Sequence, residues 1–94
     1  MKQRGNMLRH LAVGTELTAE AVPGFPIAEL AGDRRVLIEN HQGVTEYAPD
    51  KIRVRVRYGE LCVIGSGLAL ARMTKDQLVI CGRIDSLEIC RRCR

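Results

Sequence analysis

An all-β fold is predicted: a small antiparallel sandwich, roll or meander of about seven to eight short strands, preceded by a short N-terminal helix or tail. Three observations carry this. From Ile27 onward apolar residues recur with period two, the spacing at which side chains of a strand share a face. Glycine-containing turn signals punctuate the pattern at roughly ten-residue intervals. The linkers are shorter than the dozen or more residues that a parallel crossover needs. A short β-solenoid is the rival, but it needs a fixed repeat period, and the sequence has none.

A chain of 94 residues is expected to form one domain. A domain of this size buries about 60–65% of the surface its unfolded chain exposes. That suffices for one core and leaves little room for a deep substrate cavity. Phe25, Tyr47 and Tyr58 are the whole aromatic set, so the core must be built from Leu, Ile and Val.

Taken in order, residues 1–16 form a basic segment with helical potential. Met7, Leu8 and Leu11 fall at helical spacing between Gly5 and Gly14. Leu17 to Val22 allows either one further helical turn, with Thr18 as its N-cap, or an extended strand. Pro23-Gly24-Phe25-Pro26 stops any helix and marks where the packed core starts. The single β domain is placed at 17–89, and a basic cysteine-containing tail at 90–94.

Val36-Leu37-Ile38-Glu39-Asn40 and Val44-Thr45-Glu46-Tyr47 read as strands separated by Gly43. The clearest strand is Ile52-Arg53-Val54-Arg55-Val56-Arg57-Tyr58, in which apolar and basic residues alternate. Ile52, Val54, Val56 and Tyr58 are expected to face the core, and Arg53, Arg55 and Arg57 to face away. Gly59-Glu60 is a hairpin signal before Leu61-Cys62-Val63-Ile64. Ser66-Gly67, Thr74-Lys75-Asp76 and Gly82-Arg83 mark further turns. Between them lie Leu68 to Met73, Gln77 to Cys81 and Ile84 to Ile89.

The net charge is +4, with the excess at the ends: Lys2, Arg4 and Arg9, then Arg91, Arg92 and Arg94. A mild excess of this kind aids solubility and attracts anionic surfaces only weakly. No apolar run approaches the roughly 20 residues that span a bilayer. Met1 to Thr15 has no continuous hydrophobic region and does not read as a secretory signal. The expected location is therefore the cytosol, where four cysteines are expected to remain thiols.

Pro26-Ile27-Ala28-Glu29-Leu30-Ala31-Gly32, then Val36 to Val44 with Ile38-Glu39-Asn40-His41-Gln42-Gly43 at its centre, resembles the signature of the YqfC-like sporulation proteins, which belong with the YabP family. The resemblance continues through Gly59 to Leu68 and Gly82-Arg83-Ile84-Asp85-Ser86-Leu87-Glu88. It covers about residues 17–89. Gln42 departs from the basic residue usual there, Ile27, Ala28 and Glu29 replace Arg-Ile-Thr, and the tail Cys90 to Arg94 has no counterpart. The resemblance implies a protein of the mother cell of an endospore-forming bacterium, cytoplasmic or peripheral at the forespore membrane. It implies a non-enzymatic role in spore formation, tied to the cortex or envelope, beside a membrane-protein partner.

The residues themselves offer three candidate sites. Glu39, Asn40, His41 and Gly43 form either a strand-ending turn or a partner-binding loop. Catalysis by His41 is not expected, because no second acid–base group or nucleophile is identifiable near it in sequence. Arg53, Arg55 and Arg57, with Lys51, form a row of like charge whose members stand roughly 7 Å apart. Cross-strand pairing with Glu46, Glu60 or Glu88 would neutralise it. Left free, it would dock an acidic protein, a phosphate-rich polymer or an anionic membrane. Nucleic acid is the weakest of these partners, since two tyrosines offer few stacking platforms.

Cys90 and Cys93 form a CxxC, yet structural zinc needs a second pair of ligands. Cys62 and Cys81 read as core residues. No cofactor is expected, and the two tail cysteines are only weak metal candidates. A homo-oligomer is a further expectation, since strand edges must exist somewhere and exposed edges accept added strands.

Overall fold

The computed structural model describes residues 24–91. It holds six strands: β1 (Ile27–Ala31), β2 (Arg35–Glu39), β3 (Val44–Ala48), β4 (Lys51–Val56), β5 (Gly59–Met73) and β6 (Gln77–Arg91). All neighbours are antiparallel, in one sheet of order β1-β2-β6-β5-β4-β3. The all-β, antiparallel expectation holds. The helical expectations at 1–16 and 17–22 lie outside the described residues, as do Arg92, Cys93 and Arg94.

The strand count is six rather than seven to eight. Leu61–Ile64 and Leu68–Met73 are one strand, β5, and Gln77–Cys81 and Ile84–Ile89 are one strand, β6. Ser66-Gly67 and Gly82-Arg83, expected as turns, are places where the β5–β6 ladder shifts register. The hairpin turn after β4 is Arg57-Tyr58, because Val56 already pairs with Gly59. Arg57 therefore leaves the strand that carries Arg53 and Arg55.

Fifteen extended residues span roughly 50 Å, but the molecule measures 40 Å along its longest axis. Both long strands must therefore bend, and the register shifts at Ile64/Gly65 and Ser66/Ala69 supply the bend. The halves on either side take different neighbours. Residues 77–81 of β6 pair with β2, and residues 59–64 of β5 pair with β4. The sheet thus folds over itself into two layers.

The core confirms the folding. β2 and β4 stand three places apart in the sheet order, yet Val36 and Ile38 from one belong to the same buried cluster as Ile52, Val54 and Val56 from the other. Leu61 and Val63 of β5 and Leu78 and Ile80 of β6 are its other most deeply buried members, and Leu68 and Ile84 also belong to it. The first nine are at most 2% exposed, and each aliphatic side chain so buried contributes about 1.5–3 kcal/mol. The period-two apolar set of β4 is the one the sequence predicts.

Two short turns hold the bend, in matching ways. Gly82 and Ile84 donate their amides to the carbonyls of Arg34 and Asp33, in the β1–β2 turn. Gly65 and Leu68 donate to the carbonyls of Asp50 and Pro49, in the β3–β4 turn. Buried amides need partners, and each irregular stretch of the long hairpin takes its partners from the turn beside it.

Candidate functional site

The Asn40–Gly43 segment is where the two layers are tied together. Asn40 has a left-handed φ of 64°, a conformation asparagine tolerates better than most residues. Its Nδ2 donates to the Phe25 carbonyl at 2.7 Å. The Asn40 and His41 amides donate to the Asp76 carbonyl, beside the β5–β6 turn, at 2.6 and 3.4 Å. Arg55 is bonded to the segment twice across the gap: the Gln42 amide donates to the Arg55 carbonyl, and the Arg55 amide donates to the Gly43 carbonyl, each at 2.8 Å. One end of the segment is therefore fastened to the start of β6, and the other to β4.

His41 completes the tie. It is the one buried polar residue among the described residues, 9% exposed. Its Nδ1 accepts from the Gly43 amide at 3.0 Å, which leaves Nε2 as the protonated nitrogen. Nε2–H then donates to the Thr74 carbonyl at 2.9 Å. Both ring nitrogens are engaged with backbone. Glu39 accepts from Gln77 Nε2 at 3.1 Å, so it too faces a neighbouring strand.

On the outer face of β4, Arg53 is flanked by carboxylates from both neighbouring strands. Its Nε lies 2.9 Å from Glu46 of β3, and its Nη1 lies 3.1 Å from Glu60 of β5. Thr45 Oγ1 donates to the other oxygen of Glu60 at 3.0 Å. The Glu60 carboxyl is held below its ordinary value by the Thr45 hydroxyl first and Arg53 second. The Arg53 pKa is raised, chiefly by its hydrogen bond to Glu60. The cross-strand neutralisation that the sequence allows is realised at Arg53 by two of its three candidate acids. Arg55 stands opposite Glu60 in register and is exposed. Arg57 is exposed in the turn.

A pH dependence follows. A carboxyl whose folded pKa is depressed stabilises the fold above its unfolded pKa and loses that contribution as pH falls through the folded value. Here the loss lies below 4.5, the ordinary value of Glu60. Urea unfolding at pH 7 and pH 3 is expected to show wild type losing more stability than Glu60→Gln, and equal losses would contradict the pairing.

The cysteines are placed only in part as the sequence suggests. Cys62 is buried, 3% exposed, but on the outer face, opposite Arg53 on one side and Glu88 on the other. It stands outside the aliphatic cluster. Burial raises its pKa, which disfavours the reactive thiolate. Cys81 is half-buried opposite Arg35. Cys90 is half-buried on β6, and Cys93 lies outside the described residues. Among the described residues no group of three or more histidine, cysteine or acidic side chains could hold a metal ion, and no helix is long and apolar enough to cross a membrane.

Sequence reasoning missed the margins of the sheet. The large exposed apolar residues are Leu30, Tyr47, Met73 and Ile89. Each stands on a strand segment that, among the described residues, has a neighbour on one side only. Each is also the register partner of a fully or almost fully buried core residue: Val36, Ile52, Leu78 and Leu61 respectively. They point toward the core side, where the two layers end. A shallow hollow of about 270 Å³ opens beside β1, lined by Glu29, Leu30, Ala31, Arg35, Leu37 and Val79. The alternation that produces these residues is visible in sequence; which strands end up at an edge is not.

The described residues form a folded-over antiparallel sheet tied by an Asn-His-Gln-Gly corner. The YabP family model matches residues 27–92, and the chain belongs to the YabP family, which makes it a sporulation-related protein. It is 22% identical over 86 residues to the uncharacterized protein YqfC of Bacillus subtilis strain 168, a match that covers 90% of this chain and 92% of that one. No solved structure matches the chain.

Proposed function

We propose that the protein is a non-enzymatic interaction module of spore formation that docks other proteins along the margins of its sheet. The observation that carries this is the placement of Leu30, Tyr47, Met73 and Ile89, all exposed and all at edges with no paired neighbour among the described residues. An edge offers unpaired backbone groups, and an adjacent apolar side chain adds affinity. The engagement of both His41 ring nitrogens with backbone supports a non-catalytic role, since neither is left to move a proton. The mother-cell cytoplasm, a membrane-protein partner and a cortex or envelope role come from the family resemblance. Docking to an acidic surface through Arg53, Arg55 and Arg57 is less favoured, because Arg53 already faces two carboxylates.

The test is complementation in the native host. The gene is deleted, wild type or a variant is returned, and heat-resistant spores are counted. Lysine at position 30, 73 or 89 is expected to lower the count at normal protein abundance. Full counts from all three would overturn the proposal.

A further inference from the structure

Among the described residues, four edges of the folded sheet have no paired neighbour: β1, β3, residues 69–73 of β5 and residues 86–91 of β6. Two of them are irregular. β3 shifts register between Val44 and Glu46, and the β5 edge shifts between Leu70 and Arg72. Irregularities of this kind discourage edge pairing. The same two edges are linked by the Leu70 amide, which donates to the Tyr47 hydroxyl at 3.4 Å.

The β6 edge differs. Its ladder with β5 runs without a shift from Gly59↔Arg91 to Ile64↔Ser86, so residues 86–91 present a regular edge that pairs with no other strand among the described residues. Ile89, 60% exposed, lies near the middle of this edge, opposite Leu61. Leu87 is half-buried opposite Val63. β1 is also regular but cramped, since Pro26 has no amide to donate and a turn begins at Gly32.

We propose that residues 87–91 of β6 pair antiparallel with the same residues of a second copy of this chain, about a twofold axis at Ile89. The charge pattern disfavours two registers, and the exposure of Ile89 favours centring the pairing there. Pairing about Glu88 would oppose two carboxylates, and pairing about Arg91 would oppose two guanidinium groups, both destabilising. About Ile89, the isoleucine meets its own counterpart, Leu87 lies against the aliphatic stem of Arg91, and Glu88 meets Cys90. No like charges are opposed, and the interface is isologous, as closed dimers require. The inference rests on the margins being docking surfaces and names one occupant for one of them.

The experiment is light scattering of the purified full chain under reducing conditions across a concentration series. Wild type is expected to reach a mass near twice the 10.5 kDa chain. Ile89→Lys places two like charges on the axis and is expected to weaken the dimer about 100-fold. Met73→Lys, the same change on an irregular edge, should leave the dimer intact. Hydrogen exchange on wild type adds a readout independent of any variant: the amides of residues 87–91 that point away from β5 should slow as concentration rises. A wild-type monomer throughout, an Ile89→Lys dimer as tight as wild type, or exchange of those amides indifferent to concentration would overturn it. Spore counts that fall for the margin variants while the pure protein stays monomeric would sink self-pairing and leave margin docking standing.

Discussion

Alanine at position 65 is expected to cost on the order of 3 kcal/mol or more, more than half of the roughly 5 kcal/mol that stabilises a small domain. A Cβ built on Gly65 would fall on the Arg83 carbonyl oxygen, with the Arg83 carbonyl carbon at 3.0 Å and the Ile84 Cα at 3.1 Å. These are backbone atoms of the facing strand, so no rotamer change relieves the overlap. The approach is close because β5 and β6 bend together here. Gly82 shows the reciprocal arrangement: its Cβ would meet the Gly67 carbonyl oxygen at 2.7 Å, and its φ is 140°.

Gly67 is the control. Its φ of 61° also disfavours a side chain, but nothing lies within 4 Å of its Cβ position. Gly67→Ala should therefore cost only about 1–2 kcal/mol, the penalty of the left-handed conformation alone. Urea midpoints for the three alanine variants separate the steric cost from the conformational one. Equal, small losses at all three positions would mean that the long hairpin does not bend where described.

That bend is also where the sequence was least informative. Ser66-Gly67 and Gly82-Arg83 carry the composition of turns, and a glycine signals a reversal and a bulge equally well. The distinction rests on the Asp33, Arg34, Pro49 and Asp50 carbonyls, which are remote in sequence. Where the determinant is local, the sequence sufficed. Alternation from Ile52 to Val56 located β4, its buried face and the arginines opposed by Glu46 and Glu60. The arginine row was overextended by one member because the turn falls at Arg57-Tyr58, ahead of the more obvious Gly59. Tyr58 instead packs at the edge of the core, with the Arg91 guanidinium 5.4 Å from its ring centre, a cation–π distance. Cys62 is buried as the sequence suggests, though outside the aliphatic cluster.

His41→Ala is expected to destabilise the chain by about 2–4 kcal/mol. It removes two hydrogen bonds, leaves the Thr74 carbonyl and the Gly43 amide without side-chain partners, and opens a void beneath the corner. Amide side chains dissect the effect. His41→Asn would set an oxygen near the place of Nδ1 and keep the Gly43 bond, whereas His41→Gln would set a nitrogen near the place of Nε2 and keep the Thr74 bond. Each of the two variants should recover part of the loss in urea unfolding. Should His41→Ala unfold like wild type yet abolish spore formation, the 39–43 segment would be a binding loop, and the structural account of it would be wrong.

The heat-resistant spore count bears most directly on the central claim, that partners dock along the sheet margins while the 39–43 corner and Arg53 hold the fold. The decisive comparison sets Ile89→Lys and Leu30→Lys against Arg55→Glu, on the outer face, at matched protein levels. The account predicts a marked drop for the first two and a near wild-type count for the third. The reverse order would place the binding surface on the outer face and contradict the account.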